Sequence, residues 1–131
     1  MGTFQVEIEI GDPQGLRWEK LAVTVDTGST YTVVPRTVLE RLGVQPLRKA
    51  RFRLADGQTL VQDVGETRVR VDGNVATRII AFGEERDEPL LGADTLEGLL
   101  LAADPVGKRL VAVDALRLGK LERAGEDGEG V

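Results

Sequence analysis

Apolar and polar residues alternate from Phe4 to Ile10, which predicts a half-buried strand with Phe4, Val6, Ile8 and Ile10 facing inward. Gly11-Asp12-Pro13-Gln14-Gly15 is a turn cluster. Trp18 then leads into a strand at Leu21 to Val25, where a lone Trp suits a core anchor or a lid over the end of the sheet. Val33 and Val34 end the next short strand. Pro35 suits the first turn of a helix and Gly43 its C-terminal cap, with Val38, Leu39 and Leu42 on one apolar stripe between them. Val44 to Leu47 extends away.

The rest reads mainly as hairpins. Arg51 to Leu54 and Thr59 to Val61 flank Ala55-Asp56-Gly57-Gln58, and Asp-Gly between strand-like runs is a strong hairpin signal. Thr67 to Val71 and Val75 to Phe82 flank Asp72-Gly73-Asn74. An acidic loop, Gly83 to Pro89, precedes Leu90-Leu91-Gly92-Ala93-Asp94 and a helix-like Thr95 to Leu99. Leu99 to Ala103 and Arg109 to Val113 are strand-like around a turn at Asp104-Pro105-Val106-Gly107. The pattern predicts one domain over 1–117, followed by an acidic, Gly-rich tail at 118–131 with too few apolar residues to fold. Many short strands and one or two short helices predict an all-β fold, a small closed and mostly antiparallel barrel or sandwich.

Composition narrows the chemistry. A chain of 131 residues suits one core, and with only 4% aromatic residues that core must be built from Val, Leu, Ile and Ala. The net charge of -5 argues against a nucleic-acid partner, since phosphate contacts need a basic face. The chain has no Cys and no His, which excludes a thiol nucleophile, a Ser-His-Asp triad and the common His-based zinc sites. Catalysis would have to run on carboxylates, Lys, Tyr or hydroxyls. No apolar run is long enough to span a bilayer and Met1 leads into polar sequence, so the expected setting is cytoplasmic, without membrane contact.

One stretch carries distinctive chemistry. From Val23 to Pro35 an apolar strand runs into Asp26-Thr27-Gly28-Ser29, and a second apolar strand follows. A carboxylate at the end of a buried strand is costly and is mostly tolerated where it is used. Gly28 allows a tight turn whose amides can approach the carboxylate, and Thr27 and Ser29 add hydroxyls. Taken alone the tetrapeptide also fits an ordinary turn.

Its context is more specific. Strand, Asp26-Thr27-Gly28-Ser29, strand, helix, Asp-Gly hairpin and then Leu90-Leu91-Gly92 before a helix together resemble the retropepsin-like aspartic proteases of the single-lobe type. The likeness runs from about Phe4 to Val113. It implies that Asp26 is the catalytic residue, with Thr27, Gly28 and Ser29 supporting the active-site loop. It further implies that Leu90, Leu91 and Gly92 brace this loop, and that Ala55, Asp56, Gly57 and Gln58 form the tip of a flap. A plain surface hairpin would carry the same flap sequence. Asp-Thr-Gly occurs once, so the likeness implies a homodimer in which each chain gives one Asp26 and Thr27 reaches toward its symmetry mate. The implied activity is hydrolysis of a peptide or protein substrate by an activated water, with no metal or cofactor. The alternative is a non-catalytic peptide-binding or interaction domain that keeps the fold.

Four positions depart from or refine the pattern. Ser29 stands where retroviral enzymes have Ala, and its hydroxyl is expected to favour ionised Asp26 and an acidic optimum. Thr30 and Ala93 stand where retroviral enzymes pair an acid with an arginine. Asp94 suits the N-cap of the last helix.

Overall fold

The first two strands, β1 (Phe4–Gly11) and β2 (Trp18–Val25), form an antiparallel hairpin with Phe4 opposite Val25 and Gly11 opposite Trp18. The expected alternation holds, with Ile8 and Ile10 fully buried and Phe4 and Val6 packed against the core. The turn is organised by Asp12, whose Oδ1 accepts the N–H groups of Leu16 and Arg17 at 2.6 and 2.7 Å. Trp18 acts as a lid. Its ring lies so close over Gly11 that a Cβ there would stand 2.9 Å from ring carbons. The Arg70 guanidinium lies 3.9 Å from its ring centroid, and its Nε1 donates to the Gly15 carbonyl.

The computed structural model describes residues 3–119, so the expected tail lies, from residue 120 on, outside the described residues. The other elements are β3 (Thr32–Pro35), α1 (Arg36–Arg41), β4 (Arg48–Arg53), β5 (Thr59–Val71), β6 (Asn74–Gly83), β7 (Leu90–Leu91), α2 (Ala93–Gly98), β8 (Leu101–Asp104) and β9 (Arg109–Ala112). Strands pair in the order β1-β2-β7-β3-β6-β5-β4, and a further β1–β5 pairing at Glu9–Arg70 and Ile10–Val69 closes six of them into a ring. β4 hangs outside the ring on β5, and β8 and β9 form a separate hairpin. Most pairings are antiparallel, as expected, but β2–β7 and β3–β6 are parallel. Those two parallel joints flank the loop that carries Asp26. Val23, Val34, Leu39, Val69, Ile80, Phe82 and Leu91 fill the interior. No helix among the described residues is long and apolar enough to cross a membrane.

Several boundaries differ from the sequence reading by a few residues, and three of the differences have a clear physical reason. β5 is one strand of 13 residues that serves two hairpins. Its middle, Gln62 to Glu66, looks loop-like in sequence because it is polar. There Asp63 pairs with Arg36 and Lys49, and Gly65 fits beneath the Gln45 carbonyl, where a Cβ would stand at 2.7 Å. Pro35 ends β3 and takes the N-cap position of α1 rather than its first turn. At the other end Gly43, with φ +74°, donates to the Glu40 carbonyl while Val44 donates to that of Leu39. That is a Schellman closure, with Leu39 and Val44 both buried. Finally, Asn74 belongs to β6, and Asp72 and Gly73 alone make the turn, both at positive φ as a two-residue primed hairpin needs.

Several carboxylates are held below the usual carboxylate range. Hydrogen bonds from Lys49 and Arg36 do this for Asp63, and the backbone N–H groups of Arg17 and Leu16 for Asp12. Arg70 acts on Glu9, Arg41 on Glu19, and the Gly107 N–H, with Arg109, on Asp104. A carboxyl depressed on folding contributes stability above its unfolded pKa and loses it as pH falls through its folded value. The melting temperature is therefore expected to be level from neutral pH to about 5 and to drop below about 4, where unfolded carboxyls take up protons. Thermal melts followed by circular dichroism across that range test this, and a melting temperature unchanged well below pH 4 would count against it.

Candidate active site

Asp26 is carried past the end of β2 by the parallel joint to β7. The Thr24 N–H donates to the Pro89 carbonyl and the Asp26 N–H to that of Leu91, both at 3.0 Å. These bonds continue the β2–β7 ladder, so Asp26 is still extended and faces the same way as Thr24. Val23 and Val25 face the opposite way, into the core. The chain then turns sharply, with the Ser29 N–H donating to the Asp26 carbonyl at 3.1 Å. Asp26 and Ser29 are half-buried, and Thr27 and Gly28 are exposed.

The Gly28 N–H donates to Asp26 Oδ1 at 3.0 Å. As expected, an amide of the tight turn approaches the carboxylate, although Gly28 is not at positive φ. Its smallness matters instead, because a Cβ would stand 3.3 Å from Asp26 Oδ1. Ser29 differs from expectation. Its hydroxyl donates to the Tyr31 carbonyl at 2.8 Å, so it ties the loop to itself and is not spent on Asp26. Ser29 therefore gives no reason to expect an acidic optimum.

Leu90, Leu91 and Gly92 lie directly against this loop. Leu91 is fully buried and accepts the Asp26 N–H. Gly92 is buried where the chains nearly touch, and a Cβ there would stand 2.5 Å from the Tyr31 carbonyl oxygen and 2.8 Å from that of Ser29. Its N–H donates to Thr32 Oγ1 at 3.0 Å, and Thr32 Oγ1 shares a 2.7 Å hydrogen bond with Thr95 Oγ1. Both threonines are fully buried. The Ala93 N–H donates to the Ser29 carbonyl and the Asp94 N–H to that of Thr30. Two backbone bonds thus tie Ser29-Thr30 to Ala93-Asp94, where the acid–arginine pair of retroviral enzymes is absent. A buried hydroxyl pair adds to them. Sequence reasoning did not pick out Thr32 and Thr95. The available signal was a threonine at an inward position of an otherwise apolar strand.

The hairpin tip holds Ala55, Asp56, Gly57 and Gln58, all exposed. Gly57 has φ +88° and donates to the Leu54 carbonyl, and Asp56 Oδ1 accepts the Gln58 N–H. Behind the tip, the Phe52 ring meets the Tyr31 ring edge-on at 6.1 Å, which links β4 to the segment after Ser29. Phe52 pairs with Leu60 across the hairpin, so both side chains lie on the face turned toward Tyr31. Asp94 is not an N-cap. α2 starts at Ala93, Gly92 is its cap residue, and the Asp94 carboxylate takes two hydrogen bonds from Arg78, at 2.7 and 3.2 Å. Among the described residues no group of three or more carboxylates is gathered as metal ligands.

The model of the family described as "gag-polyprotein putative aspartyl protease" matches residues 18–98, which include both the Asp26 loop and Leu90-Leu91-Gly92. The chain belongs to this retropepsin-like family. No curated protein matches its sequence. Among solved structures it is similar to the foamy viral protease-reverse transcriptase in complex with an RNA/DNA hybrid. The TM-score is 0.53 and the identity 18%, over 71% of this chain and 11% of that one. At that identity the likeness is one of fold, and this aspartyl protease family chain spans about a tenth of that viral protein. Within the family-matched span, the elements holding Asp26 and Gly92 are joined by backbone bonds rather than by side-chain charges.

Proposed function

We propose that the protein is an aspartic endopeptidase that works as a homodimer, with one Asp26 from each chain. The observation that carries this reading is the half-buried Asp26 carboxylate, held by the Gly28 N–H in an accessible loop that Leu91 and Gly92 brace from behind. Exposed Thr27 and Gly28 are the surface a second chain would meet. Two like carboxylates brought close cannot both ionise, an effect for which aspartic proteases are the standard example, so the pair shares one proton.

The ionised carboxylate takes a proton from a water as the water oxygen bonds to the peptide carbonyl carbon. The protonated carboxyl gives its proton to the carbonyl oxygen, leaving a neutral tetrahedral diol. The nitrogen then takes a proton from the dyad and the C–N bond breaks. One diol hydroxyl returns its proton, so acid and amine leave and the dyad again holds one proton. The flap at 55–58 would lie over the bound peptide and exclude water from it. Cleavage of a mixed peptide library from acid to neutral pH tests the reading. Cuts made by the wild type and lost in Asp26→Asn support it, and equal cutting by both contradicts it.

A further inference from the structure

The parallel joint that aims Asp26 also brings a second carboxylate to its face. Thr24 stands two residues before Asp26 on the same side of an extended chain, roughly 7 Å away along the strand. Thr24 is 7% exposed, and its hydroxyl donates to Glu88 Oε2. Glu88 therefore reaches over the strand just before Asp26. Its backbone is held there, because the next residue, Pro89, accepts the Thr24 N–H. The loop before it is closed by Asp87, whose Oδ2 accepts the Glu84 N–H at 2.8 Å and whose own N–H donates to the Glu84 carbonyl.

Neighbouring positions on this face are apolar. Leu90 sits beside Thr24, Val33 sits beside Leu90, and both are half-buried. The ion pairs among the described residues occupy Glu9, Glu19, Asp63, Glu84, Asp94 and Asp104. Glu88 is not among them, and its bond to Thr24 leaves its charge uncompensated. A peptide laid across Asp26 would set the side chain beside its cleaved bond against Leu90 and Val33, with the Glu88 carboxylate at the end. An aliphatic stem with a cationic tip matches that surface.

We propose that Glu88 is a specificity residue that selects peptides with Lys or Arg beside the bond to be cut. This rests on the endopeptidase reading above, and in a symmetric dimer it applies on both sides of the bond. The test uses three fluorogenic peptides identical except for Lys, Leu or Glu immediately before the cut bond. Wild-type kcat/KM is expected to favour Lys over Leu by about tenfold, with Glu poorest, and the gap should shrink as salt is added. Glu88→Gln, which keeps an acceptor for Thr24, should level Lys with Leu. Glu88→Lys should make the Glu peptide the best of the three. A Lys preference that survives Glu88→Gln, or a wild type that prefers Leu, overturns the proposal while leaving the endopeptidase reading intact. If the wild type cuts neither these peptides nor the mixed library, that reading fails and this assignment fails with it; if it cuts the library but none of the three, the peptides do not fit elsewhere in the groove. The assignment is then judged by binding of the same peptides with a reduced central amide. Tighter binding of Lys that is lost in Glu88→Gln supports it, and equal binding of all three overturns it.

Discussion

Asp26→Asn should remove peptide cleavage while leaving the fold in place. Loss of proton transfer by a positioned carboxyl lowers turnover by about 100- to 10,000-fold. In a dimer the substitution removes both members of the pair, so the upper end of that range is expected. Asn keeps an oxygen where Asp26 Oδ1 accepts the Gly28 N–H, and it keeps the backbone bond to Leu91. Asp26 is half-buried and the two residues after it are exposed, so the change leaves no charge unpaired in the core. A melting temperature within a few degrees of wild type, together with lost cleavage, separates a chemical role from a structural one. Retained cleavage would end the assignment of Asp26.

Gly92→Ala should be the most damaging small substitution in the chain. The added Cβ would lie 2.5 and 2.6 Å from the Tyr31 carbonyl oxygen and carbon, and 2.8 Å from the Ser29 oxygen. All three are backbone atoms of the segment that follows Asp26, so no side chain can turn aside. Relief requires the two segments to separate. That strains the Ala93–Ser29 and Asp94–Thr30 bonds and the bond from Gly92 to Thr32. Thr32 and Thr95 are fully buried, so their lost partners would not be replaced by water. Overpacking of this kind costs on the order of 3 kcal/mol, or roughly 10–20 °C in melting temperature for a domain of this size. Cleavage at a temperature where the variant is still folded should also fall, because the loop that aims Asp26 has moved. Calorimetry and kinetics on the same preparation would show both, and an unchanged melting temperature would mean that Gly92 does not brace the loop.

The fold was legible where periodicity is simple. The Phe4–Ile10 alternation and the α1 stripe ending at Gly43 appear in the structure as local rules predict, and the turn expected at Asp72-Gly73-Asn74 appears one residue shorter. The central length of β5 was not legible, because Asp63 and Gly65 are explained only by Arg36, Lys49 and Gln45, which are distant in sequence. The two parallel joints were hidden for the same reason. β7 is two residues long, and its place between β2 and β3 is set by tertiary pairing, not by pattern.

The candidate site was legible as a string of residues, Asp26 to Ser29 and Leu90 to Gly92, but its internal roles were not. Ser29 offered a hydroxyl to any neighbour, and only the folded loop shows that Tyr31 receives it. Asp94 matched a cap by position, yet Arg78, 16 residues earlier, claims its carboxylate. Glu88 read as one of several loop acids until the β2–β7 joint set it against Thr24.

The central claim, that each active site needs one Asp26 from each of two chains, is tested most directly by mixing. Wild type and Asp26→Asn are combined in equal amounts under conditions that let subunits exchange, and cleavage per wild-type chain is measured. Random pairing in a two-fold dimer leaves about half of the wild-type chains with an intact partner, so activity per wild-type chain should fall to about half, and further as more variant is added. Activity per wild-type chain that does not change at any proportion of the variant would mean that one chain suffices, and would contradict the shared site.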